Sequence, residues 1–117
     1  MATVTTGRSH GSYTSIILST VAADSTATIP AGHYIQHIFI ENTTANAITG
    51  GVKIGTTAGG IDILVALAVG ASAITFVTDA LLLKRWFSTS ADQTIYIEDV
   101  TAWNSASLTV TIVLGRL

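Results

Sequence analysis

Residues 107–115 read "SLTVTIVLG", and apolar and polar side chains alternate along this stretch. Because successive side chains of a strand point to opposite faces, the alternation predicts a β-strand that packs one face on a core. Thr109 and Thr111 fall on the other face. We expect the core face to carry Leu108, Val110, Ile112 and Leu114.

Similar β-rich runs recur along the chain at intervals of about ten residues. Predicted strands cover 13–21, 33–41, 51–55, 61–69, 73–77 and 94–100. These runs are rich in Thr, Val and Ile, whose branched Cβ atoms suit a pleated, half-buried surface. Many short strands with turn residues between them are typical of an all-β fold, and we predict an antiparallel β-sandwich.

Three segments depart from this pattern. Residues 22–32 are polar and end in Pro30 and Gly32, so we predict a turn region there. The segment 78–88, "TDALLLKRWFS", begins with a helix-cap residue type and lacks alternation, which predicts a short helical turn leading into a strand. Residues 1–12 are rich in Thr, Gly and Ser and are predicted to be a flexible N-terminal arm. The remaining 13–117 form a single predicted β-sandwich domain.

The composition favours self-association. The chain has 117 residues, of which 49% are hydrophobic but only 10% charged, against about 25% in an ordinary soluble domain. A domain of this size buries only about two thirds of the surface of its unfolded chain, so apolar area should remain exposed. We therefore expect a homo-oligomer.

Membrane and nucleic-acid partners are not expected. The most apolar stretch, 63–77, is interrupted by Gly70, Ser72 and Thr75 and is shorter than the about 20 residues of a helical span. The first residues show no apolar region of a secretory signal. The net charge is −2 and the few Lys and Arg are scattered, so no basic patch is available for nucleic acid.

Two histidines, His33 and His37, invite a metal-binding hypothesis. On a helix they would share a face, but the neighbouring residues indicate a strand, where they would share a face about 13 Å apart. Two ligands of one zinc ion must each lie about 2.1 Å from it. The two histidines therefore cannot hold one ion within a chain. A surface or interface role is favoured, and a site built across a symmetry axis remains open.

No other motif indicates catalysis. In the glycine-rich stretch 50–60, Thr56 stands where a phosphate-binding loop requires lysine, so its glycines are predicted to form turns. The carboxylates of Glu98 and Asp99 would face opposite sides of a strand, which does not suit a glycosidase, although a Ca²⁺ site in the adjacent loop remains open. An enzyme would need a pocket where His10, His33 or His37 meets a carboxylate. We predict no enzymatic activity, no catalytic residues, no cofactor and no metal.

The aromatic residues allow two interpretations. Trp86 and Trp103, with Tyr13, Tyr34 and Tyr96, could form a platform on which a sugar ring stacks. Aromatic residues of a small sandwich more often lie in the core or in interfaces, and that interpretation is favoured.

Three motifs together carry a resemblance that covers about residues 28–117. They are "IPAG" at 29–32, "IGTTAGGIDI" at 54–63 and "TIYIEDVTAWNSASLTVTIVL" at 94–114. As a set, they resemble small bacteriophage virion proteins of β-sandwich type, including head-decoration (cement), head-fibre and tail-associated proteins. Each motif alone is ordinary turn chemistry.

The resemblance implies a jelly-roll-like sandwich, often a trimer, that adheres to a viral particle. The implied partners are further copies of the chain and the major capsid protein or other virion proteins, in virions assembled in the bacterial host cytoplasm. The N-terminal arm, with Arg8 and His10, would reach a neighbouring subunit.

An alternative is a carbohydrate- or receptor-binding domain of a phage fibre or tail tip. This alternative predicts Trp86 or Trp103 exposed beside hydrogen-bonding residues. A purely structural role predicts both indole rings buried in the core or in subunit contacts.

Overall fold

The computed structural model describes residues 3–9 and 13–117, with side chains described from residue 15 onwards. The strands are β1 (Thr3–Ser9), β2 (Tyr13–Val21), β3 (Ser25–Ile29), β4 (His33–Asn42), β5 (Ile48–Gly55), β6 (Leu64–Val69), β7 (Ile74–Val77), β8 (Gln93–Asp99) and β9 (Leu108–Arg116). They form a five-stranded sheet of order β1-β2-β9-β4-β7 and a four-stranded sheet of order β3-β8-β5-β6. No helix among the described residues is long and apolar enough to span a membrane.

The strand order is that of a jelly roll. Strands β2, β3, β4 and β5 pair in antiparallel fashion with β9, β8, β7 and β6, so the second half of the chain runs back along the first. Further antiparallel pairings of β4 with β9 and of β5 with β8 complete the two sheets. The predicted antiparallel, jelly-roll-like sandwich is confirmed.

The core lies between the two sheets and follows the alternation of the sequence. All four apolar residues predicted to line the core face of the last strand are fully buried, including Ile112. They pack in one cluster with residues of the other sheet such as Ile54, Ile95 and Ile97. Burying a side chain of this size contributes about 1.5–3 kcal/mol, so the alternating strands supply most of the stabilisation.

The predicted turn region 22–32 contains a strand. β3 pairs with β8 along its length, buries Ala27 and Ile29, and exposes Thr26 and Thr28. Our prediction of a turn region over 22–32 is therefore wrong for residues 25–29. The strand was missed because one of its two inward residues is a small alanine and its neighbours are all Ser or Thr.

The segment 78–88 begins with a single turn, in which the N–H groups of Leu81 and Leu82 both donate to Thr78 O at 3.0 Å. No helix follows in this segment, and the predicted strand is reduced to one antiparallel bridge between Tyr34 and Trp86. Leu82 is buried and Leu83 N–H donates to Ile63 O at 2.9 Å. These contacts hold the segment against the sandwich.

Part of the predicted N-terminal arm, Thr3–Ser9, lies along β2 as edge strand β1, with Thr3 opposite Ser19 and Ser9 opposite Tyr13. Arg8 is part of this strand, whereas residues 1, 2 and 10–12, which include His10, lie outside the described residues. The flexible arm and its contact with a neighbouring subunit stay predictions.

Candidate binding surfaces

The outer face of the five-stranded sheet carries several large apolar side chains among polar ones. The register places Ile17, Thr111, Phe39 and Phe76 in one row across β2, β9, β4 and β7. The rings of Phe39 and Phe76 are 5.8 Å apart as a tilted pair. We call this surface the apolar face, and its members are Ile17, Phe39, Ile74, Phe76 and Val113.

Much of the apolar face is open to solvent, with Ile74 58% and Phe76 64% exposed. Between the ends of its strands, the described part of this face carries two titratable side chains, His37 and Glu41. A groove of about 450 Å³ beside Phe76 is lined by His37, Ile38, Phe39, Phe76, Val77, Thr78, Asp79 and Val113. Monomeric proteins expose apolar side chains singly more often than in contiguous patches, so this surface is a candidate contact site.

A second candidate surface is an aromatic platform made by Tyr34 and Trp86. Their rings are stacked, with centroids 4.5 Å apart and planes 27° apart, and Trp86 is 59% exposed. The backbone bridge between these residues and a hydrogen bond from Ile35 N–H to Arg85 O, at 3.0 Å, fix their positions. Tyr34 also covers Gly115, where an added Cβ would lie 2.4 Å from the tyrosine ring. Any residue larger than glycine at this position would therefore have to displace the tyrosine ring.

A polar groove of about 600 Å³ adjoins Tyr34 and is lined by Tyr34, Gln36, His37, Asp79 and Arg85. Arg85 Nη1 donates to Gln36 O at 2.8 Å, and Arg85 Nη2 forms an ion pair with Asp79. Gln36 Nε2 donates to Tyr34 Oη at 3.1 Å. Each side chain of the groove except His37 is thus held by a neighbour.

A β-bulge in β4 creates this arrangement. The pairing with β9 shifts between Ile35 and His37, so Gln36 is the extra residue. Bulges bend a strand and redirect its side chains, and here the shift lies between the platform and the apolar face. The sequence gives no signal for it.

The bulge also corrects our expectation for the two histidines, which we placed on one face. His33 lies two positions before the buried Ile35 and therefore on the same, inward face of β4. His37 is exposed and lies on the same outward face as Phe39. His33 Nδ1 lies 3.0 Å from Ala31 O, and its Nε2 is buried without a hydrogen-bond partner among the described residues. The histidines therefore lie on different faces.

The two tryptophans differ in their surroundings. Trp103 packs against the core, and its Nε1–H donates to an Asp24 carboxylate oxygen at 3.0 Å. Trp86 is the exposed one, beside hydrogen-bonding groups. Both tryptophans were candidates for a sugar-stacking platform in the sequence analysis. The sequence could not show which of them is exposed, because the bridge to Tyr34 joins residues more than 50 positions apart.

The glycine-rich stretch closes on two carboxylates. Thr56 N–H and Oγ1–H donate to Asp62 at 2.8 and 2.6 Å, and Gly59 N–H donates to Glu98 at 2.7 Å. Hydrogen bonding from the Thr56 hydroxyl is the main cause that lowers the pKa of Asp62. Gly59 has a φ of 77°, as the turn interpretation expects, but Gly50 and Gly51 lie inside strand β5, so the turn prediction is wrong for them. No group of three or more potential metal ligands occurs among the residues described.

No family model and no curated protein sequence matches the chain. Solved structures with a distant likeness include the following two. One is a chain of the cyanophage Pam1 capsid asymmetric unit, with 18% identity and a TM-score of 0.44 over 99% of this chain and 86% of that one. The other is a provisionally named mannose-6-phosphate isomerase from Ralstonia eutropha JMP134, with 5% identity and a TM-score of 0.36 over 99% and 84%. At these scores the likenesses do not bear on function.

Proposed function

We propose that the chain is a non-enzymatic structural protein of a bacteriophage virion, and specifically a capsid decoration protein that binds and stabilises the particle. The observation that carries this proposal is the apolar face, which includes Ile74 and Phe76 at more than half exposure. The resemblance of residues 28–117 to small virion proteins supports the particle as the place where the protein acts.

The apolar face is assigned to contacts between copies of the chain. Apolar surface removed from water contributes about 25 cal/mol per Å², and a stable interface buries about 800 Å² on each partner. The row from Ile17 to Phe76 crosses four strands, so a contact along it would extend over most of the width of the sheet. A trimer is preferred because of the resemblance. An oligomer that binds repeated lattice sites can be held by modest individual contacts, because its several subunits bind together.

The geometry of the grooves supports a non-enzymatic role. His37 and Asp79 line the same grooves, but Asp79 is paired with Arg85. Asp79 is therefore engaged by Arg85 rather than free to orient His37 as a base, which acid–base catalysis by this pair would require.

The test uses phage particles that lack the protein. Such particles should assemble, but they should lose DNA at lower temperature or on osmotic shock, and purified protein should restore them up to saturation of the lattice sites. Light scattering of the purified protein should give about three times 12.1 kDa. Failure to bind capsids would overturn the decoration proposal.

A second candidate function is carbohydrate or receptor binding at a fibre or tail tip. One observation favours it: Trp86 is exposed and stacked on Tyr34 next to a groove of hydrogen-bonding side chains. Specific binding to host-surface glycans, with none to capsids, would favour this candidate over decoration.

A further inference from the structure

Strand β7 is the last strand of the five-stranded sheet, and among the described residues no strand pairs with its outer edge. Asn42 N–H donates to Ala73 O at 2.8 Å, so the backbone of residue 73 faces β4. The backbone groups of successive strand residues point to opposite edges, so Thr75 also faces β4, whereas Ile74 and Phe76 face the free edge. The N–H and C=O groups of these two residues are therefore open to a partner.

The chain itself closes this edge at both ends. At one end, Thr78 O accepts hydrogen bonds from Leu81 and Leu82 N–H, each at 3.0 Å. At the other end, Ser72 N–H turns back and donates to Thr44 O at 2.8 Å. The open groups are thus confined to the middle of the strand, where a partner has to match four backbone groups and no more.

This edge lacks most of the devices that keep strand edges apart. Soluble proteins protect an exposed edge with charged residues, proline, bulges or a very short strand. β7 is short, but residues 63–77 contain no charged residue and no proline, and β7 pairs with β4 without a register shift. At the opposite edges of the two sheets, β3 lies between Asp24 and Pro30, and β1 carries Arg8. A partner that covers β7 accounts for this difference.

The open edge is complementary to a second copy of itself. When two β7 strands run antiparallel with Ile74 opposite Phe76 of the partner subunit, two-fold symmetry sets Phe76 opposite Ile74 of the partner subunit. All four open groups of each strand then form hydrogen bonds, four in total, and Thr75 lies at the symmetry axis. On the outer face, this register places an aromatic ring beside a β-branched side chain twice, which is a favourable cross-strand pair.

Small residues lie where the two copies would approach each other. In this register Ser72 lies opposite Thr78 of the partner subunit, where the turn after β7 begins. Residues 70–73 are Gly, Ala, Ser and Ala, and they leave room for that turn. On β6, which contacts β7 across the sandwich, Ala66 and Ala68 are exposed and equally small. The side of the sandwich formed by β6 and β7 is therefore suited to close approach.

We propose that β7 pairs with β7 of a second copy across a two-fold axis at Thr75, which joins two five-stranded sheets edge to edge. A second copy is the occupant because the register that uses every open group is symmetric. The inference rests on the self-association in the proposed function and deepens it by naming the strand that carries a contact. A two-fold contact joins chains in pairs, so the trimer preferred above would use it between trimers and not within one.

Cysteine cross-linking tests the register. The chain contains no cysteine, so Thr75→Cys introduces a single thiol. Directly opposed residues of a non-hydrogen-bonded antiparallel pair have Cα atoms about 4.5 Å apart, which a disulfide can span. Oxidation of the purified protein should therefore give a linked pair of twice 12.1 kDa on a non-reducing gel.

Ile74→Cys is the matched control. In the proposed register, residue 74 of each copy lies diagonally from residue 74 of the other, about 7–8 Å away, which exceeds the usual span of a disulfide. Its cross-linking should therefore be slower than that of Thr75→Cys by about tenfold or more. Thr94→Cys, at an exposed position on β8, gives the rate of random collision.

Two variants of Phe76 separate the edge from the apolar face. Phe76→Ala and Phe76→Pro both remove the ring, but only proline removes the N–H that faces the free edge. Proline is tolerated at an edge position whose N–H has no partner in the sheet. Each pair of copies would lose two hydrogen bonds, so in the Thr75→Cys background we expect cross-linking about tenfold slower for Phe76→Pro than for Phe76→Ala. Circular dichroism checks the fold of each variant.

Two results would overturn the inference. One is cross-linking of Thr75→Cys that is no faster than that of Ile74→Cys or Thr94→Cys. The other is equal cross-linking in folded Phe76→Pro and Phe76→Ala, because the contact would then not use the backbone edge. If Phe76→Pro fails to fold, the comparison of the three cysteine variants decides alone. Self-association that survives either result leaves the apolar face standing, whereas failure to bind capsids overturns the decoration proposal and leaves edge pairing intact.

Discussion

The two sheets of the sandwich differ on their outer sides although their inner sides are alike. The apolar face of the five-stranded sheet carries Ile17, Phe39, Ile74, Phe76 and Val113, whereas the outward residues of β3, β8 and β5 include Thr26, Thr28, Thr94, Lys53 and Glu98. Lys53 lies directly opposite Glu98, as suits an exposed cross-strand pair. The two outer sides differ most at β7, where Ile74 and Phe76 are exposed, although β6 of the four-stranded sheet also exposes Val65. The core does not require these exposed side chains of β7, and the proposed contact between copies of the chain accounts for them.

The largest expected effect comes from breaking the core that both faces share. Ile112→Asp places a charge without a partner at a fully buried position and should cost more than about 4 kcal/mol, which abolishes folding. Thr111→Asp alters the adjacent outward position, half-buried between Ile17 and Phe39, and should cost roughly 1 kcal/mol. Urea denaturation followed by circular dichroism measures both. Equal damage would show that β9 is covered on two sides within one chain.

The next effect separates the two outer sides. Phe76→Asp should weaken self-association by about tenfold or more, because it puts a charge into the proposed contact, without unfolding the exposed edge of β7. The matched variant is Thr94→Asp, at an exposed position on β8, which should leave self-association unchanged. Sedimentation velocity over a concentration series compares them. An equal effect of both variants would remove the distinction between the faces.

A smaller effect should come from Gly115→Ala, beneath the aromatic platform. The added methyl group would lie 2.4 Å from the Tyr34 ring, which cannot move away freely because Trp86 is stacked on its other side. We expect a loss of roughly 1 kcal/mol in the free energy of unfolding, at the lower end of the range for overpacking. Gly70→Ala is the control, since its nearest new contact is an ordinary 3.6 Å. Unchanged thermal stability of Gly115→Ala would contradict the fixed position of Tyr34.

The smallest expected effect is on the way the stability of the fold depends on pH. The pKa of Asp62 is lowered in the folded chain, chiefly by the Thr56 hydroxyl, so the unfolded state binds its proton more readily. This contribution to stability is therefore fully present above the ordinary aspartate pKa of about 3.9 and is lost as pH falls through the lower folded value. Urea midpoints measured from about pH 6 down to about pH 3 should fall less steeply for Asp62→Asn than for wild type. If the urea midpoints of Asp62→Asn and wild type fell in parallel with pH, the assignment of this acid sensitivity to Asp62 would be contradicted.

These surfaces were predictable from the sequence to different degrees. Alternation such as that around Ile112 predicts strands, and turn residues at regular spacing predict a sandwich. The apolar face depends on which strands become neighbours: Phe39 and Phe76 are 37 positions apart and meet only because β7 pairs with β4. The platform depends on the bulge at Gln36, which no residue type in this stretch predicts. The same bulge places His33 and His37 on different faces of the strand. Long-range pairing and local register are the parts that alternation does not encode.

The central claim is that the apolar face is covered in the working state of the protein while the rest of the surface stays open. Hydroxyl-radical footprinting of the assembled wild-type protein, compared with a dilute sample, tests this at single residues. We predict strong protection of Phe76 on assembly, with no change at Tyr96 on the outer side of the four-stranded sheet or at Trp86. The opposite result is oxidation of Phe76 in the concentrated sample at the rate expected from its 64% exposure in the single chain. That result would contradict the claim that the apolar face is covered.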